Sequence, residues 1–95
     1  MDRTFEDFQA CLEQTFLLSD GDYSDTLRLV QVEQLPHADT VDGRTAFSII
    51  FQSGMPEPIP QRIYQLSNER MGDLELFIVP IGKNESGVRY EAVFS

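Results

Sequence analysis

Apolar residues recur at every second position through most of the second half of the chain. This is the spacing of a β-strand that buries one face. Clusters of glycine, proline and polar residues separate the runs and predict turns. Because strands with this much apolar surface need a partner layer, the pattern predicts a closed or packed β architecture. The predicted strands of this half are Phe47–Phe51, Arg62–Leu66, Leu74–Val79 and Val88–Phe94.

The start of the chain predicts a short amphipathic helix. Thr4, with Asp7 three residues later, has the form of a helix N-cap and capping box. Phe5, Phe8 and Leu12 then recur at helical spacing, with acidic and amide side chains on the other faces. The pattern favours a helix of two to three turns.

Two further strands are predicted before the middle of the chain. Phe16-Leu17-Leu18 begins the first, and the polar residues Ser19–Asp25 predict a turn. The second strand, Thr26–Leu35, changes its apolar phase after Leu29. Such a slip in a two-residue period indicates a β-bulge or a bend.

Prolines and glycines divide the remaining segments. Pro36–Gly43 is predicted to be a loop, and Gly54–Pro60 an extended, polyproline-like connector. Residues Leu74–Val79 are apolar on both faces towards their end, as in a central strand. Pro80 is predicted to end that strand, and Lys83–Gly87 to form a polar hairpin turn.

Together these elements predict a mainly β protein, with about six strands in a mostly antiparallel meander that forms a small barrel or a tight sandwich. One short N-terminal helix would plug an open end or cover one face. Residues 1–95 are expected to form a single domain, with a helical segment at 1–15 and a β-barrel-like body at 16–95. The pattern does not determine the order of the strands.

The charge is strongly acidic and unevenly placed, with a formal net charge of −9. Residues 1–42 carry ten acidic residues against two arginines, whereas residues 43–95 carry six against five basic residues. Such a first half would repel nucleic acids and anionic membranes, so neither is expected as a partner. No apolar stretch approaches the roughly 18 residues that a membrane span requires.

The cellular location follows from the same composition. The first residues are acidic and lack the basic-then-apolar order of a signal peptide. A single cysteine, Cys11, excludes a disulfide within the chain. We therefore expect a cytoplasmic protein, with export by a route that needs no signal peptide as the alternative. The sequence leaves homo-oligomerisation open.

The acidic residues admit more than one interpretation. They keep a small β-domain soluble. Alternatively, Asp20, Asp22 and Asp25 form an acidic docking face for a basic partner, or the acids imitate the charge of a nucleic acid. The spacing does not decide between these.

Catalytic chemistry is not indicated. His37 is the single histidine, in a predicted loop, and Cys11 is better explained as a small buried side chain than as a nucleophile. Residues 20–25 resemble a calcium loop, but Asp25 replaces its glycine and Gln31 its bidentate glutamate. We expect no enzyme activity, no cofactor and no metal. Tyr64 and Tyr90 could offer rings and hydroxyls to a small ligand or peptide, or pack within the core.

The second half also resembles a known family. The residues that carry the resemblance are Phe47-Ser48-Ile49-Ile50-Phe51, Gln61 with Ile63-Tyr64, Met71-Gly72-Asp73-Leu74, Leu76–Gly82 and the closing Tyr90-Glu91-Ala92-Val93-Phe94. They resemble a family of short bacterial proteins of unknown function, whose genes often lie beside phage-tail-collar or microcystin-dependent-type tail-fibre genes. Arg62 and Ser95 depart from the glycine and asparagine usual there.

The resemblance implies a non-enzymatic accessory, assembly or interaction protein of a phage-derived tail-fibre-like system. Its partner would be a tail-fibre or collar-like protein. Two alternatives remain: a module that binds a small ligand or peptide at the barrel mouth or a strand edge, and an acidic inhibitor that imitates nucleic acid.

Overall fold

The computed structural model describes residues 4–35 and 46–94. It contains one helix and six strands, and the predicted fold class is confirmed. In chain order the elements are α1 (Phe5–Gln9), β1 (Thr15–Asp20), β2 (Tyr23–Gln34), β3 (Phe47–Gln52), β4 (Arg62–Asn68), β5 (Gly72–Asn84) and β6 (Gly87–Phe94). The predicted loop Pro36–Gly43, with His37, lies outside the described residues.

The six strands form one antiparallel sheet that closes into a barrel in the order β1-β2-β3-β6-β5-β4. Two three-stranded meanders, β1-β2-β3 and β4-β5-β6, therefore join through β3 with β6 and through β4 with β1. A plain meander would place β4 beside β3, so the predicted meander is interrupted at this one connection. The connector Gly54–Pro60 carries the chain from β3 to the far side of the barrel.

The core fills the inside of the barrel, because inward-facing positions alternate along each strand. Eleven of its larger side chains have at most 1% of their surface exposed: Phe8, Phe16, Leu18, Leu27, Leu29, Ile49, Phe51, Leu66, Ile78, Val88 and Tyr90. The predicted bulge in β2 is confirmed, since the register with β3 shifts between Leu29 and Gln31. The interior is therefore a packed core.

The helix covers one end of the barrel. The predicted capping box is present: the Asp7 amide donates to Thr4 Oγ1, and the Thr4 amide donates to the Asp7 carboxylate. Phe8 packs on Phe94, with 5.1 Å between ring centroids, and Phe94 stacks on Phe47 at 4.7 Å. These rings close the end of the barrel where β3 begins and β6 ends.

The predicted length of the helix was wrong. It ends at Gln9, after five residues, and Leu12 is 41% exposed. The chain turns instead, and the buried side chain of this stretch is Cys11. Glu13 adopts φ 71°, and its amide donates to the carbonyl of Leu29, which attaches the turn to β2. Tertiary packing overrides the helical period here.

The prediction that Pro80 ends a strand was also wrong. β5 runs on to Asn84, and its register with β6 shifts between Pro80 and Gly82. Proline is tolerated at such a bulge because its missing N–H falls where the ladder is interrupted. Pro80 also lies beyond the last pair with β4, Ile78 opposite Arg62, so it needs a partner on one side alone.

Two other local predictions need correction. The turn at 19–25 is shorter than expected, because Asp20 pairs with Tyr23 and leaves two turn residues. Likewise Asn84 pairs with Gly87, which narrows the predicted turn at 83–87. β5 was predicted to resemble a central strand, apolar on both faces, but its outer face is not buried: Phe77 is 52% exposed on the outside of the barrel.

Candidate functional site

The end of the barrel opposite the helix is crossed by the connector Gly54–Pro60. The amide of Ser53 donates to the carbonyl of Val88, and the Val88 amide donates to the carbonyl of Met55. Gly87 fits beneath this crossing, since a Cβ there would lie 2.4 Å from the Ser53 carbonyl oxygen. The connector is thus attached to the start of β6.

A buried carboxylate holds the beginning of the connector. Ser53 Oγ donates to Asp25 Oδ2 at 2.6 Å and accepts the Met55 amide at 2.9 Å. Asp25 also accepts the amide of Thr26 through Oδ1. Ser53 has no exposed surface and Asp25 retains 8%. Such a carboxylate is stabilised because donors converge on it.

The two tyrosines named from the sequence hold the other end of the connector. Tyr90 Oη accepts the amide of Ile59 at 3.1 Å, and Tyr64 Oη donates to the carbonyl of Pro60 at 2.7 Å. Their exposed fractions are 1% and 3%. Of the two roles considered for Tyr64 and Tyr90, the structure places both side chains in the core. Asp25 joins them in a hydrogen-bonded clasp around the connector.

Burial and a nearby charge act on Tyr90 of the clasp and on Tyr23, a neighbour of Asp25. Burial raises the pKa of Tyr23, and the neighbouring Asp25 carboxylate raises it further. Burial also raises the pKa of Tyr90, against the opposing effect of the Ile59 amide. Both phenols therefore stay protonated well above neutral pH and remain available as hydrogen-bond donors or acceptors.

The three aspartates of the expected docking face do not share one environment. Asp22 is exposed at the β1–β2 turn, and Asp20 pairs with Arg62 at the start of β4. Arg62 also lies over the ring of Tyr64, 5.1 Å from its centroid. Asp25 faces inward. A partner that docks on the intact barrel would meet Asp22 and part of Asp20, whereas Asp25 supports the connector.

Two large apolar side chains face solvent on the outside of β4 and β5. Ile63 and Phe77 lie directly opposite each other, with 62% and 52% of their surfaces exposed. Neither side chain was predicted from the sequence to be a site residue. The alternation along β4 does indicate that Ile63 faces outward, because Ile63 lies out of phase with the buried Tyr64 and Leu66 on the same strand.

β5 pairs with two strands along its length, with β4 through its first half and with β6 through its second half. The β5–β6 ladder begins at Val79 and Glu91. Along 72–78, the pairs made by β5 within the described residues are with β4, and along 92–94 those made by β6 are with β3.

A groove lies at the other seam of the barrel, between β1 and β4. It has a volume of about 780 Å³ and is lined by Gln14, Thr15, Leu17, Ser67, Asn68, Glu69 and Arg70. Asn68 organises its floor: its amide nitrogen donates to Gln14 and to the Thr15 carbonyl, and its oxygen accepts the amides of Arg70 and Met71. Six of the seven lining residues have polar side chains, and the two charged ones, Glu69 and Arg70, are of opposite sign.

Cys11 lies behind this groove. Its thiol has no exposed surface and donates to Asn68 Oδ1 at 3.7 Å. Burial raises the pKa of the Cys11 thiol, although Arg70 opposes the shift. A thiol that is buried and protonated is a poor nucleophile.

Neither a metal cluster nor a membrane-spanning helix is found in the described part of the chain. Across residues 4–35 and 46–94, no group of three or more His, Cys, Asp or Glu side chains is placed to hold a metal ion. Within the same residues, no helix has the length and apolar character needed to cross a bilayer.

Comparison with known proteins places the chain in a family without assigning it an activity. No curated protein and no solved structure gives a significant match. Residues 3–94 match the model of a family described as a domain of unknown function, DUF6916. Because the match covers nearly the whole chain, the protein belongs to the DUF6916 family.

Proposed function

We propose that the protein is a non-enzymatic accessory or assembly protein of a phage-derived tail-fibre-like system in bacteria. It acts in the cytoplasm and binds a tail-fibre or collar-like protein. The observation that supports binding through the outside of the barrel is the exposed pair Ile63 and Phe77, on a barrel whose interior is already filled.

The exposed pair has an energetic consequence. Single apolar side chains on a surface are ordinary, but adjacent large ones indicate an interaction surface when they form a patch. Covering the exposed halves of Ile63 and Phe77 would contribute about 1 kcal/mol or more each. Exposed apolar side chains do not stabilise the isolated barrel, whereas a partner that covers Ile63 and Phe77 would gain binding free energy from them.

The identity of the partner follows from the sequence resemblance described above. The family is one of unknown function, so the tail-fibre context is carried by the resemblance alone. The clasp residues Asp25, Tyr64 and Tyr90 are occupied in holding the connector. This favours binding on the outer surface over uptake of a ligand at the barrel mouth.

Co-purification tests the proposal. The tagged protein would be expressed in its native host, and the proteins eluting with it would be quantified by mass spectrometry. A tail-fibre or collar-like protein at near-equimolar ratio supports the proposal. If neighbouring tail proteins are present in the lysate and none elutes with the wild type, the proposed function is wrong.

A second candidate, a module for small polar ligands, is favoured by the groove between β1 and β4. Its lining offers amide and hydroxyl groups together with Glu69 and Arg70. Pockets of this size are typical of small-molecule sites. A thermal-shift screen of metabolites and glycans tests it, since a ligand that binds the native state raises Tm. Loss of the shift in Arg70→Gln would place the ligand in the groove.

A further inference from the structure

A row of outward-facing side chains crosses the strands β2, β3 and β6. Arg28 lies directly opposite Gln52, and Gln52 lies directly opposite Arg89. All three face out of the barrel, because they alternate with buried neighbours on their strands, such as Phe51 and Tyr90. Neighbouring strands lie about 4.8 Å apart, so the backbones of the two arginines are about 10 Å apart. We call Arg28, Gln52 and Arg89 the arginine row.

The arginine row is fixed at its centre and accessible at its ends. Gln52 Nε2 donates to Asn84 Oδ1 at 3.2 Å, and Asn84 Nδ2 donates to Gln52 Oε1 at 3.0 Å. The strand positions that continue the row beyond the two arginines are Thr15 on β1 and Gly82 on β5. Thr15 is exposed, and Gly82 has open space where a Cβ would lie. Small residues at both ends therefore leave the guanidinium groups accessible.

The positive charge of the row is poorly neutralised by the acids beside it. Arg28 Nε lies 3.6 Å from a Glu13 carboxylate oxygen, with 58% and 65% of the two side chains exposed, and such surface pairs contribute little. Among the described residues, Arg89 has no ion pair, although Glu91 faces outward two residues further along β6. An unpaired arginine beside a weakly paired one is placed to bind an anion from another molecule.

The rest of the protein restricts that anion to a short one. With a net charge of −9, the chain would repel a long polyanion such as a nucleic acid wherever it extends beyond the row, and two copies of the chain would repel each other. A short protein segment can place two carboxylates on the row and carry neutral residues on either side. Arginine binds carboxylates through two parallel N–H···O bonds, which matches Asp and Glu.

We propose that the arginine row binds a short, extended segment of a partner protein with two acidic side chains at alternate positions, one carboxylate on Arg28 and the other on Arg89. Such side chains project on one side of the segment about 7 Å apart, a separation that the flexible arginines can meet. The row crosses β2, β3 and β6, whereas Ile63 and Phe77 lie on β4 and β5. The inference therefore goes beyond the proposed function and does not depend on the identity of its partner.

A defined peptide tests the row without a known partner. The probe is an end-blocked octapeptide of serine and threonine with two glutamates at alternate central positions, and the comparison peptide has glutamines there. At about 0.1 M salt the Debye length is about 10 Å, so distant acids are screened while the arginines act at contact. We expect the glutamate peptide to shift the Nε–Hε NMR signals of Arg28 and Arg89, with Kd in the high micromolar to low millimolar range. No saturable shift of these signals up to about 5 mM would overturn the proposal.

The glutamine peptide and a pair of arginine variants separate local binding from general attraction. The glutamine peptide should bind at least about fivefold more weakly. Arg89→Gln, followed through the Arg28 signal, should weaken binding of the glutamate peptide about two- to fivefold. Arg70→Gln makes the same charge change at the exposed β4–β5 turn and should change affinity by less than about 1.5-fold. Equal losses in both variants, or no loss in Arg89→Gln, would show that the row is not the site.

Removing the acid beside the row should have the opposite effect. Glu13→Gln frees Arg28 from its partner and should strengthen binding of the glutamate peptide about twofold. Asp22→Asn removes the same charge at the exposed β1–β2 turn and should strengthen it less. If Glu13→Gln has no larger effect than Asp22→Asn, the peptide does not use Arg28 and the proposed site is wrong.

Two further titrations distinguish the other occupants. A single strand of eight thymidine nucleotides should bind more weakly than the glutamate peptide at the same salt concentration, and tighter binding of the nucleotide would overturn the assignment to an acidic segment. Dilution of the protein alone should leave the Arg28 and Arg89 signals unchanged, and shifts that depend on protein concentration would show a second copy on the row instead. None of these measurements needs a tail protein, so their failure is distinct from failure of the co-purification that tests the proposed function.

Discussion

Replacing Ser53 with alanine should loosen the clasp at one point. The change deletes the hydrogen bond that Ser53 Oγ donates to Asp25 Oδ2 and the one that it accepts from the Met55 amide. Ser53 is fully buried and Asp25 nearly so, so water cannot readily replace the hydroxyl. Asp25 keeps the bond from the Thr26 amide and loses a close donor on its other oxygen.

The expected cost follows from these two bonds. A hydrogen bond to a charged group contributes about 1.5–3 kcal/mol and one between neutral groups about 0.5–1.5 kcal/mol. The free energy of unfolding should therefore fall by about 2–4 kcal/mol. For a domain of 95 residues, each kcal/mol corresponds to roughly 4–8 °C in Tm, so Tm should fall by at least about 8 °C.

Urea unfolding followed by circular dichroism measures this change, with Ser24→Ala as the control. Ser24 is exposed on β2 next to Asp25, and its replacement should change stability by no more than about 0.5 kcal/mol. A double-mutant cycle with Asp25→Asn isolates the pair, because neighbouring partners give non-additive effects. If Ser53→Ala behaves like Ser24→Ala, the clasp does not stabilise the barrel and the reasoning fails.

Three other perturbations test separate parts of the structure. Gly87→Ala should destabilise the protein by about 3 kcal/mol or more in urea unfolding, because φ is 138° and the new Cβ would meet the carbonyl oxygen of Ser53; Gly54→Ala, which has open space around it, should be nearly neutral. The raised pKa of Tyr90 contributes stability that is fully present below its unfolded value of about 10 and lost as pH rises through the folded pKa. The free energy of unfolding of Tyr90→Phe should thus fall less steeply than that of the wild type between pH 9 and 12, and an equally steep fall would contradict this. Cys11 should react with a thiol reagent such as DTNB only as the protein opens, and rapid reaction of the native protein would show that the thiol is accessible.

The strands of this barrel could be predicted because alternation is enforced wherever one face is buried. All six predicted strands are present, and the phase change after Leu29 marks the observed bulge. The β3–β6 pairing could not be predicted, since adjacent strands and long-range strands have the same alternation. The strand was predicted to end at Pro80 because proline is generally depleted within sheets. Here Pro80 lies at a bulge, beyond the pair that Ile78 forms with Arg62, the first residue of β4.

The candidate site was only partly visible in the sequence. Asp25, Tyr64 and Tyr90 were singled out for their chemistry, and the fold brings all three to the connector, where they hold the chain. Ser53 was missed because one serine before a glycine has no distinctive signal. A buried carboxylate depends on donors that are distant in sequence, and such donors are brought together only by tertiary structure.

Ile63 and Phe77 show a different limit of sequence reasoning. The alternation of β4 places Ile63 outside, but the run of apolar residues from Leu74 to Val79 hides the outward position of Phe77. β5 also divides its pairing between two neighbours, 72–78 with β4 and 79–84 with β6. Relative strand positions of this kind are determined by the closure of the barrel as a whole.

Hydrogen exchange of the protein alone and in its purified complex with a tail-fibre or collar-like partner tests the central claim most directly. The account predicts slower exchange in 73–78 on complex formation, with 53–60 and 20–25 unchanged. Protection of 53–60 would instead make the clasp tyrosines part of the interface, and protection of 20–25 would support docking through the acidic turn. Either result, without protection of 73–78, would contradict the account.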